Sequence, residues 1–145
     1  MAVQLVVGVG GDSGGDEAAR FAARVVSATG GSLVLVFGYE ASPMGPRGGA
    51  LEDEIEAVGT EITDAVKADL AAAYPDLAVE VERVRGRPVE SLISVAQARG
   101  AEAIVVGHGG RGPMRGALLG SITYEIVHRS PVPVVVVPEP DDAEE

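Results

Sequence analysis

One stretch of this sequence brings bare backbone and a hydroxyl together at a spacing that suits anion binding. Gly107-His108-Gly109-Gly110 is followed, nine residues later, by Gly120-Ser121. A strand that runs into successive glycines and then a helix surrounds a concavity with backbone N–H groups, which attract phosphate oxygens. Side chains at Gly107 or Gly110 would block that approach. Gly120-Ser121 at a helix start adds two N–H donors, a hydroxyl and the positive end of the helix dipole. Arg111 and Arg115 lie in the same loop, placed to offset phosphate charge.

A second stretch, Gly11-Asp12-Ser13-Gly14-Gly15, spells a string found around serine nucleophiles in chymotrypsin-like proteases and GDS-type esterases. Either chemistry needs a His to take the serine proton and groups to hold the oxyanion. The protease order puts His and Asp before the serine, and only twelve residues precede Ser13. The esterases use an Asn, and the chain has none. Glu125 and His128 imitate a late acid–His pair but read better as an exposed helix face. Ser13 is therefore expected to cap a strand-to-helix turn. A P-loop fails because the single lysine, Lys67, falls within a helix far from any glycine loop. A dinucleotide pattern begins at Gly8 and Gly10 but has Ser13 at its third position, with Glu40 imitating the ribose-binding acid. His108 and His128 are too few and too scattered for a metal cage.

The elements that must position these residues follow from hydrophobic periodicity. Gln4–Val9, Ser32–Phe37 and Ala103–Val106 are short apolar runs, as expected of strands buried on both faces. Val132–Val137 is a fifth strand. In Leu77–Val84, Val79 and Val81 alternate with Glu80 and Glu82, so one side is wet. Helices are expected from about Asp16 to Ala28, with Ser13 and Asp16 as a capping box. A second carries Leu51, Ile55, Val58, Ile62, Val66 and Leu70 at helical spacing as far as Tyr74-Pro75. A third starts at Pro88 and closes at Gly100. The last runs from about Gly120 to Arg129, with Ile122, Ile126 and Val127 inward.

Five strands alternating with four helices predict an α/β fold, an open parallel five-stranded sheet with helices on both faces. The flavodoxin-like order 2-1-3-4-5 would bury the third strand centrally, which Glu80, Glu82 and Arg83 oppose. The order 3-2-1-4-5 makes that strand an edge, where charge is tolerated. Chain order then reverses between strands 1 and 4, and a ligand crevice is expected outside their carboxyl ends. Both glycine-rich loops lie there.

Composition narrows the function classes. A chain of 145 residues with 46% hydrophobic residues suits one domain, over residues 1–138, with 139–145 an acidic disordered tail. A net charge of −11 opposes a nucleic-acid or anionic-membrane surface, and 3% aromatics leave little for base stacking. There is no cysteine, hence no disulfide or thiolate chemistry. No apolar run approaches the ~20 residues of a membrane span. A soluble, cytoplasmic protein is expected.

The Gly-x-x-Gly, nine-residue, Gly-Ser pattern resembles the nucleotide-binding motif of the universal stress protein family. Around it, residues 101–137, "AEAIVVGHGGRGPMRGALLGSITYEIVHRSPVPVVVV", are similar to that family's C-terminal half. "VVGVGGDSGGDEAARFAARVV" resembles its first strand and helix, and "VRGRPVESLISVAQ" its third helix. The resemblance implies the 3-2-1-4-5 fold of the adenine nucleotide alpha hydrolase-like class. It also implies a stress-response binding module for ATP or a related adenine nucleotide (AMP, ADP or cAMP), with Mg2+ accompanying it. Gly107, Gly110, Gly120 and Ser121 would hold ribose and phosphates, and Asp12, Val106, Gly109, Arg111 and Ile122 would join them as nucleotide-binding residues. Gly8, Val9 and Gly10 after strand 1, with Gly38 after strand 2, would border adenine and ribose. Family members that bind ATP usually carry Asp where this chain has Gly10, and Asp12 lies two residues on to replace it. The alternatives are slow ATP hydrolysis at the same site and esterase chemistry at Ser13.

Strand Val132–Val137 is the second sheet edge, and its valines are not blunted by charge. A homodimer through this strand is expected, as in much of the resembling family.

Overall fold

The computed structural model describes residues 3–10, 13–39, 50–109 and 120–138. Its elements are β1 (Gln4–Gly8), α1 (Ser13–Thr29), β2 (Ser32–Tyr39), α2 (Ala50–Ala73), β3 (Ala78–Arg85), α3 (Pro88–Arg99), β4 (Ala103–Gly107), α4 (Ser121–Arg129) and β5 (Val134–Val137). The five strands form one sheet in the order β3-β2-β1-β4-β5, all neighbours parallel. This is the expected order, and the edge charges are what made it legible. Glu80 and Glu82 of edge strand β3 pair with Arg99 of α3 at 3.2 and 2.7 Å.

Alternate strand residues feed two cores. Leu5, Val7, Leu33, Leu35 and Val105 pack with Ala18, Ala19, Ala22 and Val26 of α1 and Val66 and Leu70 of α2. Val6, Val34, Val36, Ile104 and Val106 pack on the other face with Val89, Leu92 and Val95 of α3 and Ile126 of α4. Period-2 side-chain alternation sends each strand into both layers, which is why these strands read as unbroken apolar runs.

Several expected details differ. Helix α1 begins at Ser13 rather than near Asp16, so Gly14 and Gly15 belong to its first turn, and both are buried. Leu51 and Val58 of α2 face outward at 57% and 51% exposure. Its buried seam is Gly59, Thr63, Val66 and Leu70, because Gly59 lies directly against the Phe37 ring. On α4, Ile122 and Val127 are exposed, and Thr123 joins Ile126 as the buried pair. Strand β5 starts at Val134: Ser130 Oγ donates to the Val132 carbonyl at 2.7 Å and accepts from its N–H at 3.1 Å, holding Val132 in a bend. The acidic segment 139–145 lies outside the described residues.

Candidate functional site

Strands β1 and β4 are neighbours, and the helices that follow them lie on opposite faces of the sheet. The first turns of α1 and α4 therefore converge outside the strand ends, on a cavity of about 270 Å³. Gly8, Val9, Gly10, Gly38, Val106, Gly107, Gly109, Gly120, Ser121 and Ile122, expected at such a site, all line it. Asp12, Gly110 and Arg111 lie outside the described residues.

Two glycine pairs shape this cavity. A Cβ on Gly107 would lie 2.5 Å from the Gly14 carbonyl oxygen, so the end of β4 and the first turn of α1 meet backbone to backbone. The bareness of Gly107 thus serves helix–strand packing, where the sequence suggested only room for phosphate. A Cβ on Gly120 would lie 2.6 Å from the Gly109 carbonyl oxygen, and Gly109 itself has φ +79°, a left-handed conformation that favours glycine. Bulk at Gly120 would therefore displace the loop as well as crowd a ligand.

The donor inventory also departs from expectation. The Gly120 N–H is already taken, donating to the His108 carbonyl at 3.0 Å. The first intrahelical bond of α4 runs from the Tyr124 N–H to the Gly120 carbonyl, at 2.9 Å. Ser121, Ile122 and Thr123 thus have no helix carbonyl for their N–H groups, and these are the donors an anion would meet. Thr123 Oγ1 donates to the Gly107 carbonyl at 2.7 Å, fastening α4 to β4.

Much of the remaining lining is apolar. Val9, Val36, Phe37, Pro88 and Leu92 line it. Val36, Phe37, Pro88, Leu92 and Thr123, with Gly14 and Gly15, are lining residues that sequence reasoning missed. Gly14 and Gly15 carried a signal in their adjacency to Ser13. Pro88 and Leu92 carried none, because they arrive from α3 through tertiary packing. Among the described residues no group of His, Cys, Asp and Glu is placed to hold a metal ion.

Charged side chains form a circuit that links α3 to α4. Arg129 Nη1 donates to Glu90 Oε2 at 2.7 Å and to Glu125 Oε2 at 2.6 Å. Arg87 Nη2 donates to Glu125 Oε1 at 3.1 Å, and its Nη1 lies 3.7 Å from Glu90 Oε2. The hydrogen bond from Arg129 holds the Glu90 carboxyl below its ordinary value, with its own backbone N–H as the next cause. Arg129 is raised in turn, by Glu90 first and then Glu125. Glu125 is thus engaged by arginines, while His128 Nδ1 sits 2.8 Å from the Tyr124 carbonyl oxygen and its ring packs on Tyr124. The two are not arranged as an acid–His pair.

Comparison with known proteins places this geometry among relatives. A match to the Universal stress protein family spans residues 1–138. A universal stress protein of Mycobacterium tuberculosis is 40% identical over 63 residues, 43% of this chain and 21% of that protein. One from Mycolicibacterium smegmatis is 28% identical over 137 residues, 92% of this chain and 45% of that protein. The chain spans less than half the length of these curated relatives. Among solved structures, a universal stress protein in complex with cAMP is 27% identical with a TM-score of 0.69, covering 96% of this chain and 98% of that one. A universal stress protein from Archaeoglobus fulgidus in complex with dAMP is 21% identical with a TM-score of 0.70, covering 94% and 99%. The latter likeness speaks for the fold.

Proposed function

We propose, from the premise that this chain belongs to the universal stress protein family, that its central cavity binds an adenine nucleotide. The observation that carries the reading is the polarity of the cavity. The apolar lining residues Val9, Val36, Phe37 and Leu92 suit a flat base, and the first-turn N–H groups of α4, at the same cavity, suit a phosphate. The cAMP complex of a relative and the dAMP complex of a structural neighbour support this reading.

In this assignment Val9, Gly10, Gly38 and Val106 border adenine and ribose, and Gly107, Gly109, Ser121 and Ile122 surround ribose and phosphate. Asp12, Gly110 and Arg111, which lie outside the described residues, are further nucleotide contacts of this reading. ATP is the first candidate, with ADP, AMP and cAMP beside it. Mg2+ binds through phosphate oxygens and a carboxylate or two. Among the described residues no cavity-lining side chain is a carboxylate, so Mg2+ would enter on the phosphates. The protein would act as a regulatory binding module of the stress response, in the cytoplasm, with any hydrolysis slow. No helix among the described residues is long and apolar enough to cross a membrane.

Mass spectrometry of the nucleotide released from purified, denatured protein tests the reading. Titration calorimetry with ATP, ADP, AMP and cAMP, and GTP as control, accompanies it. Release of an adenine compound, or saturable heat with one of the four, is expected. No released nucleotide and no heat with any of them would overturn it.

A further inference from the structure

We propose that Arg87, Glu90, Glu125 and Arg129 form a clamp that holds two walls of the cavity at their binding separation, with Arg129 as its keystone. The four are positioning residues, and the proposal rests on reading the cavity as a nucleotide site. One wall is the start of α3, where Arg87 is the N-cap and Pro88 and Leu92 line the cavity. The other is the start of α4, with Ser121, Ile122 and Thr123.

Helix α4 is weakly held by packing. It has nine residues, and only Thr123 and Ile126 are buried. Ile122, Tyr124 and Val127 are exposed. A helix with so small a buried face depends on its polar tethers more than a deeply packed one does. The circuit supplies them between residues 38 and 39 positions apart in sequence, Arg87 with Glu125 and Glu90 with Arg129. Acid and base alternate around it, so every neighbour is of opposite sign. An isolated exposed pair contributes little, whereas a closed network of several charges contributes more.

Arg129 is the keystone for two reasons. Its Nη1 alone serves both carboxylates, at 2.7 and 2.6 Å. Glu90 Oε1 is shielded from solvent with no hydrogen-bond partner among the described residues, so without Arg129 the Glu90 carboxylate keeps its own backbone N–H and, at 3.7 Å, Arg87. Because one nitrogen makes both contacts, a lysine ammonium replaces it adequately; a bidentate site would not tolerate that change.

The test compares wild type, Arg129→Ala, Arg129→Lys, Glu125→Gln and Arg99→Ala. Affinities for AMP and ATP are read by calorimetry, and amide exchange across residues 120–123 is read by mass spectrometry on ligand-free protein. Arg129→Ala is expected to weaken affinity roughly three- to tenfold and to speed exchange in that segment. Glu125→Gln is expected to fall between it and wild type. Arg129→Lys is expected to stay within about twofold of wild type. Arg99→Ala, which removes the pairs to Glu80 and Glu82 at the sheet edge, is expected to change neither readout. Wild-type affinity and exchange in Arg129→Ala would overturn the clamp, as would an equal loss in Arg99→Ala. A wild type that binds no nucleotide overturns the proposed function instead, and exchange in the ligand-free protein then decides the clamp alone.

Discussion

The backbone of Gly14 occupies the space that a side chain on Gly107 would need: a Cβ there would lie 2.5 Å from the Gly14 carbonyl oxygen. The contact brings the start of α1 onto the end of β4, across the point where chain order reverses. A second crossing, Gly120 on Gly109, does the same for α4. The two helix N-termini face one cavity because four residues lack side chains.

Gly107→Ala is accordingly expected to destabilise the fold by about 1–3 kcal/mol through overpacking. Gly10→Ala is a contrast, since Gly10 is exposed and its Cβ would meet nothing within 4 Å. That variant should unfold within about 0.5 kcal/mol of wild type. It should still lower nucleotide affinity, because Gly10 lines the cavity. Urea melts and calorimetry on both variants check the pair; equal stability would contradict the packing role of Gly107.

Thr123 is 3% exposed, and its hydroxyl donates to the Gly107 carbonyl. Thr123→Val keeps the volume and removes the bond, which should cost about 1 kcal/mol. The loss should appear in urea melts and as faster amide exchange at the start of α4. A variant that matches wild type in both would show that the bond is not a tether.

The Glu90–Arg129 pair makes a prediction about acid. A carboxyl held below its ordinary value in the folded state contributes stability that is present above its unfolded pKa and is lost as pH falls through the folded one. Wild type should therefore melt higher than Arg129→Ala at neutral pH, and the gap should close on acidification below the usual carboxylate range. A gap in Tm that persists unchanged at low pH would assign it to packing of the arginine stem.

Strand β5 is the edge beside β4 in the sheet of the described residues, and it is expected to pair with a second copy of the chain. The Pro133 carbonyl accepts from the Ile104 N–H, so by the alternation of a parallel ladder Val135 also turns inward and Val134 and Val136 present their backbone groups outward. Val136→Pro removes an outward N–H and spares the internal ladder. It tests the edge more cleanly than Val135→Lys, since the Val135 side chain packs against the α1-side core. Light scattering should give a dimer for wild type and a monomer for Val136→Pro. A monomeric wild type at micromolar concentration would refute the pairing.

Much of this protein was legible in the chain. Apolar runs marked the strands, and Glu80 and Glu82 marked β3 as an edge, which was enough to choose the strand order. Pro88 and Gly100 bounded α3 by local backbone preferences, and Gly100 adopts the left-handed C-cap at φ +63°. The glycine loops pointed to the crevice at the strand ends. Such features depend on periodicity or on one residue's conformational range, both local properties.

What the tertiary structure alone decided is which distant residues meet. Periodicity placed Leu51, Val58, Ile122 and Val127 on apolar stripes, but a stripe does not say how much of a helix lies over the sheet, and these four are exposed. The glycine at 107 was visible, yet its partner Gly14 depends on the angle at which α1 leaves β1. Pro88 and Leu92 reach the cavity only because α3 packs beside it, and Arg87 finds Glu125 across 38 residues of chain. Those contacts follow from close packing of whole helices on a twisted sheet, a geometry that no short window of sequence contains.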